Sequence, residues 1–256
     1  MARTFGAMLG TAEGFQPRLN IAPTTVVPVI RCCKGTSVKL DLLRWGLVPS
    51  WASNPGGGVR MINARSETVF EKPAFKIAVR ERRCLVPAWL FYEWRRSGRS
   101  RIPFGIRSSK SSFFAFAGIW ERREAEDELL ETVAILTTSP NAIMASIHDR
   151  MPVILDLEAR SRWLDHRNPA DGGPSEIELR SYFTLAADDL VHVHRVSSRV
   201  NDAKHANDAK HANDAKHAKH EEPGLMDPIE ESPNDSVPPG LFWLNPGCLF
   251  GEVAGQ

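Results

Sequence analysis

The stretch Arg83-Cys84-Leu85-Val86-Pro87-Ala88-Trp89-Leu90-Phe91-Tyr92-Glu93-Trp94 decides the fold class. Leu, Val, Phe, Tyr and Trp crowd it, and that composition reads as strand rather than helix. Working outward toward the C-terminus, Ile102–Ile106, Ser112–Arg122 and Glu131–Thr138 read the same way, with no helical pattern between them. Thr24–Cys33 and Val38–Val48 precede the stretch, and Met151–Leu155 and Leu190–Val196 complete the set of expected strands. Helices are fewer. Pro73–Arg82 opens with Pro at a permitted first-turn position, and Asn141–Ile147 follows Ser139-Pro140. Leu157–Asp165 follows Asp156, a good N-cap, and Ser175–Phe183 is the fourth. Strands that follow one another directly, without βαβ regularity, predict an α+β fold. Its centre is a curled, barrel-like, mostly antiparallel sheet with flanking helices.

The 256 residues are 42% hydrophobic, enough for a large core and too apolar for a mostly disordered chain. No run approaches the roughly 18 apolar residues of a membrane span, and Met1–Gly10 lacks a sustained apolar signal core. The expectation is a cytoplasmic monomer without a membrane partner. Cys32, Cys33, Cys84 and Cys248 contain no C-x2-C pair and read as reduced packing thiols, so neither a metal nor another cofactor is expected. The net charge of +1 hides an asymmetry: residues 60–110 hold 13 Lys/Arg against 4 acids, and residues 121–189 hold 7 against 15. The basic middle, with Arg80, Arg82, Arg83, Arg95, Arg96, Arg99 and Arg101, is either a phosphate-attracting surface or an ordinary solvated face.

Asn201–Ala218 is three tandem copies of Asn-Asp-Ala-Lys-His-Ala. Successive histidines would advance about 600° along an ideal helix and so line no single face. A solvated loop is expected there rather than a metal site. Beyond Glu221 the chain is acidic and proline-rich as far as Leu241–Leu244. The expected organisation is one domain over 1–228, with the repeat inserted at 201–220, and a tail over 229–256.

Four stretches place polar groups where an element end would otherwise be apolar. Arg44–Trp51 sets two tryptophans around a turn, and Met61–Glu67 puts Asn63 and Arg65 just past an apolar pair. Phe91–Trp94 holds Glu93 between aromatics, and Ile147–Pro152 carries His148 beside Asp149 and Arg150. A carboxyl among aromatics has a raised pKa, and histidine titrates in the same range, so the two suit proton transfer. Each also has a plain reading: Glu93 as an outward strand residue, His148 as a cap of its own helix, Asn63 as a turn residue, Trp45 and Trp51 as core.

Taken in order, Asn20–Thr24, Arg44–Trp51, Ile62–Glu67, Arg83–Ala88, Phe91–Trp94, Phe116–Glu121, Leu136–Thr138 and Ile147–Pro152 resemble the SRAP family, the SOS-response-associated peptidases or abasic-site processing proteins. The resemblance runs from about Leu19 to about Pro228. It implies a protein that finds abasic sites in single-stranded DNA. Family members remove their own initiator methionine, and the exposed cysteine closes a thiazolidine with the abasic aldehyde, a covalent DNA–protein crosslink. It implies Asn63 as an orienting amide, Glu93 as acid/base and His148 as a proton-transfer partner. Arg65 and Arg150 match phosphate-binding positions, and Pro23 and Trp51 lie in loops that meet bases. The chemistry is self-consistent, because imine formation needs a neutral amine and a general acid, and splayed strands bind through aromatics in basic grooves.

The sequence departs from that pattern at its start: Met1-Ala2-Arg3-Thr4 stands where the family has Met-Cys-Gly-Arg, and no cysteine precedes Cys32. Trp89-Leu90 replaces a common Asp-Gly. Three readings follow. The coding start lies elsewhere, or the Ala2 amine forms a reversible Schiff base with lyase-like behaviour, or the chain binds single-stranded DNA without chemistry.

Overall fold

The computed structural model describes residues 1–15, 18, 20–32, 37–52, 61–125 and 128–201. The hexapeptide repeat, the acidic tail, Cys33 and Cys248 lie outside the described residues. The strands are β1 (Met8–Leu9), β2 (Val26–Cys32), β3 (Val38–Trp45), β4 (Asn63–Arg65), β5 (Arg83–Ala88), β6 (Leu90–Ser97), β7 (Ser100–Ser108), β8 (Phe114–Ala125), β9 (Glu128–Thr138), β10 (Met151–Pro152) and β11 (Val191–Arg195). The helices are α1 (Ala78–Glu81), α2 (Ala142–Ala145), α3 (Leu157–Trp163) and α4 (Glu176–Ser181).

Five strands close on themselves. β2 pairs antiparallel with β3 and β5, β5 with β8, and β8 with β9, and a parallel seam of β3 against β9 completes the barrel. The expected curled, mostly antiparallel sheet with flanking helices is therefore present, with parallel pairings at the β3–β9 seam, β1–β3 and β4–β9. Gly46 follows β3 with φ 125°, a conformation that only glycine adopts freely, and its N–H donates to Val133 O at 2.9 Å. β7 pairs with β6 and β11 in a separate three-stranded antiparallel sheet.

Side chains alternate between two cores, as a period of two requires. Ile30, Leu40, Leu85, Ala117, Ala134 and Leu136 join one cluster together with Phe70, Phe75, Trp163 and Leu179 from the helical side. Val29, Leu43, Val86, Phe116, Val133 and Ile135 join the other, which Phe91, Phe104, Ile106 and Val193 of the small sheet cover. The expected strand over 83–94 is two strands in two sheets, broken at Trp89, because apolar residues continue across the junction and composition carries no mark of the break. Met151–Leu155 shrinks to β10 plus a bridge from Ile154 to Phe116. Asp156 does cap α3, its carboxylate accepting the Ala159 N–H at 2.8 Å.

Candidate active site

β9 assembles most of the predicted site. Asn63 and Arg65 of β4 run parallel to Ile135 and Thr137, and β10 pairs Met151 with Thr138 on the same strand. The loop entering β10, with His148 and Arg150, is thereby set beside β4. Trp45 secures the arrangement: it is buried, and its indole N–H donates to Ile62 O at 3.0 Å, fixing the backbone immediately before Asn63. Trp45 is thus a core residue, whereas Trp51 is 68% exposed.

Arg150 is the clamp of this corner. Its guanidinium donates to Glu67 Oε2 at 2.7 Å and to Thr137 O at 2.6 Å, and that hydrogen bond to Arg150 holds the Glu67 carboxyl below the usual range. A bidentate pair of this kind is strong and directional, so a phosphate reaches Arg150 only by sharing it with Glu67. The Arg65 side chain, in contrast, is exposed and makes no hydrogen bond or ion pair among the described residues, although its charge is felt by Glu67. Sequence reasoning placed Glu67 in the motif and missed its role; an acid two positions after Arg65 carried no signal of a partner 83 positions away.

His148 follows α2, which Asn141 caps through the Met144 N–H at 2.9 Å. The imidazole Nδ1 lies 3.0 Å from the Arg150 N–H and 3.0 Å from Asp149 Oδ1. One nitrogen cannot accept the first contact and donate to the second. Burial lowers the His148 pKa against the Asp149 charge, which raises it, so the neutral ring with Nδ1 accepting from the backbone is the form held here.

Glu93 sits in β6 opposite Phe104. It is 0% exposed, and neither carboxyl oxygen has a hydrogen-bond partner. Burial, followed by the negative charge of Asp149, raises its pKa well above the ordinary 4.5. The field of Asp149 ties Glu93 to the His148 loop, and the field of Arg96, three residues along β6, reaches His148. The plain reading of Glu93 as an outward strand residue is ruled out.

A largely apolar cavity of about 550 Å³ borders β6 and is lined by Met1, Asn20, Trp45, Tyr92, Trp94 and Phe116 among others. Asn63, Glu93 and His148 do not line it, although Ile135, beside Asn63, does. Asn20, buried, donates to Val200 O at 2.8 Å, and the Trp94 indole donates to Asn201 Oδ1, so the Asn20–Thr24 loop and the end of the domain close over one side of β6. Pro23 is half-buried in that loop, next to Thr24, whose φ of 79° is unusual for a β-branched residue. Ala2, half-buried, packs on the first core cluster. Among the described residues no group of three or more His, Cys, Asp or Glu could hold a metal, and no helix is long and apolar enough to cross a membrane. Cys84 is buried, which pushes its thiol far above the ordinary range and makes it a poor nucleophile.

Comparison with known proteins places this geometry. The model of the SOS response associated peptidase (SRAP) family matches residues 1–203. Abasic site processing protein YoaM of Bacillus subtilis is 41% identical over 193 residues, covering 74% of this chain and 82% of that protein. Abasic site processing protein YoqW of the same organism is 42% identical over 195 residues, covering 74% and 83%. A crystal structure of a Bacteroides thetaiotaomicron protein superposes with a TM-score of 0.67 at 26% identity, covering 77% of this chain and 88% of that one. The match spans the described barrel and the small sheet beside it, and the chain belongs to the SOS response associated peptidase family.

Proposed function

We propose that this chain binds abasic sites in single-stranded DNA and captures the ring-opened sugar through its own α-amine. The observation that carries the reading is Glu93, a fully covered carboxyl whose two oxygens have no hydrogen-bond partner among the described residues. Such a group is costly to bury in its charged form, and the upward shift of its pKa favours the protonated state that a general acid needs. Arg65 supplies an exposed cation for a phosphate, and Trp51, 68% exposed, offers aromatic surface for an unstacked base. The names of the Bacillus relatives agree with this substrate.

In the proposed reaction, removal of Met1 exposes the Ala2 amine. Met1 borders the cavity along β6, the strand that carries Glu93, although Glu93 itself does not line that cavity. The amine nitrogen attacks the aldehyde carbon to give a carbinolamine. Glu93 protonates the departing hydroxyl, water leaves, and the nitrogen gives up its proton to form a neutral imine; neutral His148 accepts that proton. Asn63 orients the carbinolamine oxygen. With alanine at position 2 there is no thiol to close a thiazolidine, so water reverses the imine. Glu93 is fully covered in the free protein, so substrate entry has to open part of its cover.

The test is borohydride trapping on an abasic single-stranded oligonucleotide. A trapped adduct that forms with Ala2 exposed and disappears when the amine is acetylated supports the proposal. A crosslink that survives denaturing electrophoresis without reductant overturns it. Salt-sensitive binding without any trapped adduct overturns the capture step and leaves a binder without chemistry.

A further inference from the structure

One cluster of unpartnered groups lies outside this site. Trp89, Arg107, Ser108, Ser109, Ser111 and His192 line an open depression of about 410 Å³ on the small sheet. Register explains why they meet. Arg107 of β7 pairs with His192 of β11 on one side and with Leu90 of β6 on the other, and Trp89 immediately precedes Leu90. Residues directly opposite in a ladder share a face, so Arg107 and His192 project together. The neighbours Phe91, Ile106 and Val193 point the other way, into the core.

Three of these groups are chemically unspent. Trp89 is 49% exposed, and Arg107 and His192 are exposed. Among the described residues the side chains of Arg107 and Trp89 make no hydrogen bond or ion pair, and the His192 ring has only an edge contact to the His194 ring, 5.8 Å between centroids. The charges nearby do not neutralise Arg107, because Lys110 and Asp189 at the rim pair with each other at 2.6 Å. The serines are held in place: Ser108 Oγ accepts the Ser111 N–H at 3.1 Å, and Ser111 Oγ donates to Phe113 O at 2.8 Å. A planar aromatic, a guanidinium, an imidazole and fixed hydroxyls around one hollow match a base and its phosphate.

We propose that this depression is a nucleotide subsite, in which Arg107 and His192 hold a phosphate and the Trp89 indole stacks the adjoining base. Trp89 also lines the larger cavity along β6. Because Trp89 borders both hollows, one continuous single strand passing over it reaches from the subsite to that cavity. The identity of that strand rests on the proposed function; nucleotide binding at the subsite does not.

The experiment uses two probes. Thymidine monophosphate is titrated while the His192 ring proton, assigned by its loss in His192→Gln, is followed by NMR. Binding of an eight-residue oligothymidylate without any abasic site is followed by fluorescence anisotropy across salt concentrations. Thymidine monophosphate is expected to move the His192 signal in the wild type and not in Trp89→Ala. Trp89→Ala is expected to weaken the oligonucleotide about tenfold, within the range of one lost base stack. Arg107→Gln is expected to lower the slope of log affinity on log salt by about 0.7, one phosphate contact of a single strand. Oligonucleotide binding that is equal in the wild type and both variants overturns the subsite and leaves the proposed function standing. A His192 response to thymidine monophosphate without oligonucleotide binding keeps the subsite and overturns the proposed function. Silence in both experiments overturns both. All three side chains are exposed, so unchanged melting curves certify the variants.

Discussion

Replacing Glu93 with glutamine removes a titratable group from a site where ionisation is expensive, and the gain depends on pH in a calculable way. The carboxyl is 0% exposed with both oxygens unpartnered, and burial raises its pKa well above 4.5. Between 4.5 and that raised value the folded protein holds a proton that the unfolded chain has released. Folding then takes up a proton, so wild-type stability falls as pH rises through this window, with a limiting slope of about 1.36 kcal/mol per pH unit. Glu93→Gln has no such slope from this position. Urea unfolding of both proteins at pH 4, 5, 6 and 7 isolates the term, because every other titrating group cancels in the difference. Near pH 4 the two proteins are expected to differ by no more than about 1 kcal/mol, the scale of one hydrogen bond's rearrangement. At higher pH the variant is expected to become progressively more stable than the wild type, and the difference levels off only when folded Glu93 itself ionises. A difference that stays constant from pH 4 to 7 refutes the argument, since it means that Glu93 titrates normally and is no reserve of protons. The same variant is expected to keep oligonucleotide affinity and lose most of the borohydride-trapped adduct.

Three further outcomes follow from groups elsewhere in the domain. Arg31 lies between Asp41, 2.6 Å away, and Glu131, 2.7 Å away, beneath the Trp120 ring; Arg31→Met strands the fully buried Asp41 with Lys39 and Thr11 and is expected to cost about 3 kcal/mol in urea unfolding. His166 is pushed down to about 4, first by burial and then by the Arg83 charge, and its Nε2 accepts the Arg83 N–H at 3.1 Å. Here the unfolded chain binds the extra proton, so stability is lost as pH falls from 6.5 toward 4; the NMR titration of His166 is expected to centre near 4, and His166→Gln to flatten that arm of the curve. Asp156→Ala removes the cap of α3 and is expected to lower stability by about 1 kcal/mol, read from the shift in urea midpoint.

The barrel was legible because its strands are long and two-faced. Phe114 to Ile119 alternates Phe114 and Phe116 toward one core with Ala115, Ala117 and Ile119 toward the other, and period-two burial of this kind leaves a clear trace in composition. The elements that escaped lack that trace. β4 is three residues long and contains Asn63 and Arg65, so its pairing with β9 comes from position in the barrel and not from propensity. β1, Met8–Leu9, is an exposed two-residue strand held against β3, near the point where Thr11 N–H reaches Asp41 at 2.9 Å. Pro73–Arg82 was expected as one helix, yet only Ala78–Glu81 is helical. Hydrogen bonds such as Lys76 N–H to Lys72 O at 2.9 Å organise the preceding segment as turns that carry Phe75 to the core.

The site follows the same division. Asn63, Glu93 and His148 stood out by residue type, since polar groups inside apolar runs need a reason. What residue type could not say is which cations remain available. Arg65 and Arg150 are equivalent in the sequence, but folding pairs Arg150 with Glu67 and leaves Arg65 exposed. That difference changes what each can do for a strand of DNA. A phosphate at Arg65 replaces only water, whereas one at Arg150 competes with a carboxylate already seated in a bidentate pair and pays for its release. Loss of Arg65 should therefore reduce affinity directly. Loss of Arg150 frees Glu67, unties the β10 entry from Thr137 O and disturbs the backbone N–H that fixes His148 in its neutral form. Arg65→Gln is accordingly expected to weaken oligonucleotide binding while the pH profile of adduct formation stays put, and Arg150→Gln to move that profile through His148. A shift of the profile in Arg65→Gln, or an unmoved profile in Arg150→Gln, would mean that the two arginines do not divide their labour as this geometry dictates.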